Sequence, residues 1–200
     1  MGYSNFKKIF QIKEELKIVS FKKELFDKNI KQVQQSEWLK TTLSYSSFAR
    51  SQNEKTKSES IVQPILVELI KKNNNFITYF SGSNLEIDSE KNLNGECDFI
   101  ICKDKGYYDL DNPIFIILEA KDHDIKIGIP QCGAQMYAAN LFNHKNNYKT
   151  DFIYGCVTTG DMWIFLKIVE KNLFIDNRIY YLSEVEKILG VFQKIIYDFK

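Results

Sequence analysis

The segment IFIILEAK, residues 114–121, is the most informative stretch of the sequence because it joins an apolar run to a pair of charges. Its first five residues are apolar, which is typical of a central strand buried on both faces of a sheet. Side chains two positions apart on a strand project from the same face, so Glu119 and Lys121 would lie about 6 to 7 Å apart on one side. Since burying an unpaired charge is very unfavourable, the pair indicates a functional site.

The sequence on both sides of this segment predicts one α/β unit with helices around a mixed central sheet. The predicted order is a helix, three strands, a helix, and then further strands with a closing helix. We expect Pro130 in the first turn of the second helix, where its missing N–H costs nothing. The predicted helices cover 59–72, 130–143 and 183–199, and the predicted strands cover 76–80, 97–103, 114–121, 152–158, 162–169 and 172–182.

The N-terminal quarter differs from the rest in charge and in periodicity. Residues 5–50 carry helical spacing in two or three pieces, and the polar stretch 51–58 is typical of a connecting loop. Residues 1–57 contain 12 Lys or Arg against 6 Asp or Glu. We therefore predict a basic helical extension over 1–57 and a catalytic core over 58–200. The extension could contact phosphates or simply be a solvated helical face.

Composition argues against several classes of protein. The sequence has no apolar run long enough to cross a membrane and no apolar N-terminal segment typical of a signal peptide, so we expect a cytoplasmic protein without a membrane partner. Its four cysteines include no Cys-x-x-Cys pair. Reduced, buried thiols are the simplest interpretation of that pattern.

A third ionisable group, Asp98, lies near the start of the predicted strand 97–103. Hydrolysis of a phosphodiester needs a hard cation held by carboxylates and a group that activates or orients water. Asp98 and Glu119 could ligate Mg²⁺, with Mn²⁺ as a substitute, and the backbone carbonyl of Ala120 would be a further ligand. Lys121 would orient or deprotonate the attacking water, the latter if desolvation lowers its pKa.

The spacing of these residues resembles the PD-(D/E)XK nuclease superfamily. The resemblance rests on GECDFI at 95–100, a gap of about twenty residues, and LEAK at 118–121, within a predicted αβββαβ order. It covers somewhat more than half of the chain. The likeness is closest to the N-terminal nuclease domain of type I restriction enzyme motor subunits and to archaeal Holliday-junction resolvases. It implies a restriction-endonuclease-like core with Asp98, Glu119 and Lys121 as its principal residues, although no proline precedes Asp98.

The same resemblance implies a glutamate on the first helix and a glutamine on the second. Glu59 and Glu68 are the candidates on the first helix, and they lie on opposite sides of it. We favour Glu59 as a catalytic and metal-binding residue, although it could instead complete a capping box with Thr56. Gln131 and Gln135 lie one turn apart on the second helix and could hold the phosphate, Lys121 or water, or could simply face solvent.

The sequence thus predicts a Mg²⁺-dependent deoxyribonuclease, endonucleolytic rather than exonucleolytic, acting in restriction, phage defence or repair. Two alternatives stay open: a nuclease that cleaves RNA, and a catalytically silent module that binds nucleic acid or supports assembly on the same fold. The expected partner is nucleic acid, DNA ahead of RNA. A homodimer or a larger defence or restriction complex is left open, since nucleases that cut both strands often act as dimers.

Overall fold

The computed structural model describes residues 2–48, 53–106 and 108–200, which form an α/β structure around one seven-stranded mixed sheet. The helices are α1 (Ile9–Leu16), α2 (Glu37–Tyr45), α3 (Glu54–Lys57), α4 (Gln63–Lys72), α5 (Ile125–Lys145) and α6 (Val185–Tyr197). The strands are β1 (Val19–Lys23), β2 (Ile77–Asn84), β3 (Glu96–Lys103), β4 (Ile114–Ala120), β5 (Phe152–Thr158), β6 (Met162–Val169) and β7 (Asn172–Tyr181). None of the helices in these described ranges is long and apolar enough to cross a membrane.

The sheet has the strand order β1-β7-β6-β5-β4-β3-β2. Strands β2, β3 and β4 form an antiparallel meander, whereas β4 and β5 are parallel. A parallel pair needs a crossover connection, and α5 provides it. The expected central position of β4 is confirmed, because every residue of this strand is buried.

Helices cover both faces of the sheet, so the sheet separates two hydrophobic clusters. On one face α5 and α1 contribute to a cluster that includes Ile129, Cys132 and Ile12. On the other face α4 and α6 contribute to a cluster that includes Leu66 and Phe192. The four cysteines are free and buried, as the sequence predicted. This arrangement holds the ends of β3 and β4 rigidly between packed layers.

The N-terminal segment is less helical than its spacing predicts. The helical spacing expected across residues 5–50 is wrong in its middle part, because Val19–Lys23 forms β1, which pairs in parallel with β7. Strand pairing with a partner about 150 residues away overrides the local helical spacing, and Phe21 stacks on Phe174 at 5.7 Å between ring centroids. The extension is therefore part of the sheet and of its core.

The first core helix begins earlier than predicted. Part of the predicted loop 51–58 is helical: α3 begins at Glu54, and a π-helical turn (Ser58–Val62) continues it directly into α4. Residues 51 and 52 lie outside the described residues. Asn53 caps this helix, since its side chain accepts a hydrogen bond from the N–H of Thr56. The wider π-helical turn lies directly before Pro64, which has no N–H to donate and therefore cannot complete the regular α-helical hydrogen bonding.

Helix α5 also begins earlier than predicted. Pro130 lies inside the helix and not in its first turn, because Asp124 is the N-cap and accepts a hydrogen bond from the N–H of Lys126. The preceding segment was too polar to be recognised as a helix start from periodicity alone. The earlier start places a full turn and a half of helix between the end of β4 and Pro130, and it determines which α5 side chains face the end of β4.

Candidate functional site

Asp98 reaches β4 where the ladder between β3 and β4 ends. The last backbone pair of that ladder joins Phe99 to Leu118. One residue further, the carboxylate of Asp98 accepts the N–H of Ala120 at 2.7 Å. The Asp98 side chain thus replaces the backbone carbonyl that would accept the next hydrogen bond of the ladder. This contact fixes the Asp98 carboxylate at the end of β4.

Glu119 is the most buried charged group of the site, with 1% of its surface exposed. Its Oε1 accepts a hydrogen bond from Nζ of Lys121 at 2.5 Å, and its Oε2 accepts one from Nε2 of Gln135 at 2.9 Å. The structure thus brings Glu119 and Lys121 into direct contact, as the strand periodicity predicted. The N–H of Lys121 donates to Thr158, which extends the pairing of β4 and β5 to this point.

The two carboxyl groups of the site are held close together. Burial and the neighbouring Asp98 together raise the pKa of Glu119 to about 8, against the opposing effects of Lys121 and Gln135. Burial also raises the pKa of Asp98, which is in hydrogen-bond contact with Glu119. Two carboxyl groups in contact retain one proton between them more readily than two separate carboxylates do. The pair is therefore an under-compensated centre of negative charge.

Lys121 is held as an ammonium ion. Burial alone would lower its pKa, but Glu119, Asp98 and Glu54 outweigh burial and raise the pKa above its usual value. The expectation that desolvation lowers this pKa is therefore wrong, because the lysine is buried together with carboxylates. A lysine with a raised pKa donates hydrogen bonds and neutralises charge, and it does not take up a proton.

The two glutamines of α5 differ in their contact with the site. Gln135 is fully buried and, besides its bond to Glu119, its Nε2 lies 3.5 Å from the carbonyl of Glu96. Its Oε1 has no hydrogen-bond partner within the described part of the chain. In the same part of the chain, Gln131 makes no hydrogen bond to Asp98, Glu119 or Lys121. The structure thus places Gln135, and not Gln131, against the carboxyl pair.

The two candidate glutamates of the first helix also separate. Glu68 faces away from the site and binds Ser36, the N-cap of α2, through both the N–H at 2.8 Å and the hydroxyl at 2.7 Å. Lys72 lies 3.2 Å from the same carboxylate. Glu59 is exposed and lines the cleft that contains Asp98. Of the two candidates, Glu59 therefore faces the cleft and Glu68 does not.

Glu54 is a carboxylate that the sequence interpretation missed. Burial raises its pKa, Lys121 lowers it and Asp98 raises it, and its side chain lines the same cleft as Asp98. Glu54 therefore faces Asp98 and Lys121 from the first turn of α3. The sequence signal was Asn53, a preferred N-cap residue directly before it, but the polar composition of the stretch favoured a loop.

A cleft of about 530 Å³ opens in front of Asp98, between the first helix and the strands β2 and β3. Its lining is mixed, and four of its ten residues are acidic. The lining residues are Glu54, Lys55, Ser58, Glu59, Gln63, Ser81, Gly82, Glu96, Asp98 and Phe99. A ligand in this cleft would approach the carboxyl pair from the side of α3.

The donor set fits a hard cation with few protein ligands. In the described ranges no three His, Cys, Asp or Glu side chains are arranged to hold a metal ion. Mg²⁺ commonly binds through one or two carboxylates and completes its shell with water and substrate phosphate. The contacting pair Asp98 and Glu119 meets that requirement. The backbone N–H of Ala120 binds Asp98, and a ligand role for its carbonyl stays a prediction.

Fold and site together define a class: an α/β protein with two carboxyl groups and a lysine clustered at the end of its central strands. A comparison of the chain with protein-family models and with curated proteins finds no match.

Proposed function

We propose that this protein is a Mg²⁺-dependent nuclease with a restriction-endonuclease-like core that hydrolyses phosphodiester bonds of DNA. One observation carries the proposal: Asp98, Glu119 and Lys121 converge at the end of β4, where Lys121 donates to Glu119 at 2.5 Å and Asp98 accepts from the N–H of Ala120 at 2.7 Å. Buried titratable groups with raised pKa values that converge at a cleft are typical of catalytic sites. A purely structural ion pair would not bury a second carboxyl group beside the first.

The chemistry of phosphodiester hydrolysis explains each group. Asp98 and Glu119 would hold Mg²⁺, which supplies charge neutralisation at the phosphate and lowers the pKa of water. Lys121, held as an ammonium ion, would orient the attacking water and stabilise the negative charge that develops in the transition state. Gln135 would fix the orientation of Glu119 through its hydrogen bond, as groups behind metal ligands commonly do.

The order of elements supports the assignment of the fold. From α3 to β5 the chain runs through a helix, three antiparallel strands, a helix and a parallel strand. This is the αβββαβ order that the sequence resemblance implied, with Asp98 on the second of the three strands and Glu119 on the third. The order of the elements and the positions of these two residues both support the proposal.

Cleavage assays on purified protein test the proposal. Supercoiled plasmid, linear duplex, single-stranded and branched DNA, tRNA and ribosomal RNA would each be incubated with Mg²⁺, with Mn²⁺ and with EDTA. We expect metal-dependent cleavage of DNA that is lost in Asp98→Ala and Lys121→Ala. Lys126→Ala, an exposed lysine in the first turn of α5, is the matched control and should keep full activity.

Three outcomes would count against the proposal. Cleavage that persists in Asp98→Ala and Lys121→Ala would show that another site or a contaminant acts. Cleavage of the RNA substrates and of none of the DNA substrates would show that the substrate is RNA. Nucleic-acid binding without cleavage of any substrate, and without heat of Mg²⁺ binding that depends on Asp98, would identify a catalytically silent binding module.

A further inference from the structure

Three aromatic side chains on α2 and in the turn that follows it project into solvent. Trp38 is 46% exposed, Tyr45 60% and Phe48 75%. Trp38 and Tyr45 are seven residues apart, which places them on the same face of α2, about 10 Å apart along its axis. The rings of Tyr45 and Phe48 stack at 5.7 Å with an interplanar angle of 28°. We call these three residues the aromatic stripe.

The aromatic stripe is not needed to attach α2 to the protein. Leu39 on the inner face is fully buried, and Ser36 anchors the start of the helix to Glu68 on α4. Large apolar rings that stay in contact with water are unfavourable, and when grouped they indicate a binding surface.

The aromatic stripe leads toward the candidate cleft. Helix α2 starts beside Glu68 and packs along α4 onto the π-helical turn Ser58–Val62. Its C-terminal end, which carries Tyr45, therefore lies toward that turn, and Ser58 and Glu59 of the turn line the cleft. Phe48 precedes Glu54 by six residues, so the two lie at most about 20 Å apart.

The lining of the cleft suits the edges of bases better than phosphates. Glu59, Glu96 and Gln63 present acceptor oxygens, which can accept hydrogen bonds from the amino groups of bases. Aromatic rings stack on the faces of unpaired bases, whatever their sequence. A duplex hides these faces in its stack, whereas a single strand offers both faces and edges. The excess of Lys and Arg in residues 1–57 would attract its backbone.

We infer that the substrate of the candidate site is single-stranded or locally unpaired nucleic acid, whose bases stack on Trp38, Tyr45 and Phe48 as the strand enters the cleft. This inference rests on the proposed function, because it names the substrate class of the same site. The aromatic stripe binds the strand, and Asp98, Glu119 and Lys121 act on it.

Fluorescence anisotropy in EDTA tests the inference without cleavage. The probes are a fluorescein-labelled 20-nucleotide single strand of mixed sequence and the same strand in a duplex. We expect the full-length protein to bind the single strand more tightly than the duplex. Trp38→Ala, Tyr45→Ala and Phe48→Ala should each weaken binding of the single strand about tenfold. Phe10→Ala, which removes an aromatic residue of α1 that is 54% exposed, is the matched control and should change nothing.

A second readout separates stacking from charge. Trp163 is fully buried whereas Trp38 is exposed, so stacking of a base should quench the fluorescence of Trp38, and Trp38→Phe should abolish the quenching while preserving binding. Equal or tighter binding of the duplex, or full affinity in all three alanine variants, would overturn the inference. Cleavage activity without these effects would leave the proposed nuclease standing and remove only its single-stranded substrate. Stacking on the aromatic stripe without cleavage of any substrate would leave single-strand binding standing and remove the proposed nuclease activity.

Discussion

Glu68 and Glu119 are both 1% exposed, yet their surroundings have opposite effects on their acidity. Burial tends to raise the pKa of both. At Glu68 the hydroxyl and N–H of Ser36 and the ammonium of Lys72 outweigh burial and hold the pKa below its usual value. At Glu119 burial and the neighbouring Asp98 outweigh Lys121 and Gln135, and the pKa rises to about 8.

The difference distinguishes a carboxylate that stabilises the fold from one that costs stability. Glu68 joins α2 to α4 and has all the partners that a buried anion requires. Glu119 shares its cavity with a second carboxyl group, so its ionised form is under-compensated. Proteins commonly keep such an unfavourable buried charge at sites where a bound ligand compensates it. The following changes test whether these two buried glutamates differ in this way.

Loss of activity is the largest expected difference between the two glutamates. Glu119→Gln keeps the shape of the side chain but removes a charge that would hold the cation, so we expect metal-dependent cleavage to fall by about 10²- to 10⁴-fold. Glu68→Gln should leave the rate per folded molecule unchanged. Initial rates of plasmid nicking measure both. Equal losses in the two variants would show that Glu119 acts only through the fold.

Loss of stability should show the reverse order. Glu68→Ala leaves the N-cap of α2 and Lys72 without their shared acceptor, and we expect the free energy of unfolding to fall by about 3 kcal/mol. Glu119→Gln should be neutral or stabilising without metal, because near neutral pH the Glu119 carboxyl group has to take up a proton on folding and a glutamine does not. Urea unfolding at pH 7.5 measures both. A larger loss in Glu119→Gln than in Glu68→Ala would contradict the comparison.

The pH dependence of stability should follow the carboxyl pair. A carboxyl group whose pKa is raised on folding keeps its proton in the folded state after the unfolded chain has lost it, so stability falls as the pH rises. Between about pH 4.5 and 8 we expect the metal-free protein to lose about 4 kcal/mol through Glu119. Glu119→Gln should remove this loss, and Mg²⁺ should offset it in the unaltered protein. Urea midpoints measured across this range provide the check.

The central strands and their charges could be predicted from the sequence because the signals are local. Five apolar residues followed by Glu119 and Lys121 define β4, and Asp98 lies in a second apolar strand. By contrast, β1 depends on pairing with β7 far along the chain, which local spacing cannot show. The contact of Gln135 with Glu119 depends on the start of α5 at Ile125, set by the cap Asp124.

The raised pKa of Lys121 was equally inaccessible from local sequence. Strand periodicity shows that Lys121 and Glu119 share a face, but not how many carboxylates surround the ammonium. Glu54 belongs to a helix more than sixty residues earlier in the chain, and it lies beside Asp98 only because the fold places α3 along the same cleft. The sign of the shift is therefore a property of the tertiary structure.

The smallest expected effect concerns the two glutamates of the first helix that face the cleft. Glu54 resembles Glu119, because burial raises its pKa and it faces Lys121 and Asp98, whereas Glu59 is exposed. We expect Glu54→Gln to lower the cleavage rate about tenfold, a loss of about 1.4 kcal/mol of transition-state stabilisation, and Glu59→Gln to lower it less than twofold. Single-turnover rates at saturating Mg²⁺ measure both, and Glu14→Gln on α1 is a control remote from the site. A larger loss in Glu59→Gln than in Glu54→Gln would identify Glu59 as the functional glutamate of the first helix, as the sequence favoured. It would also show that proximity to Lys121 does not identify the residues that matter for cleavage.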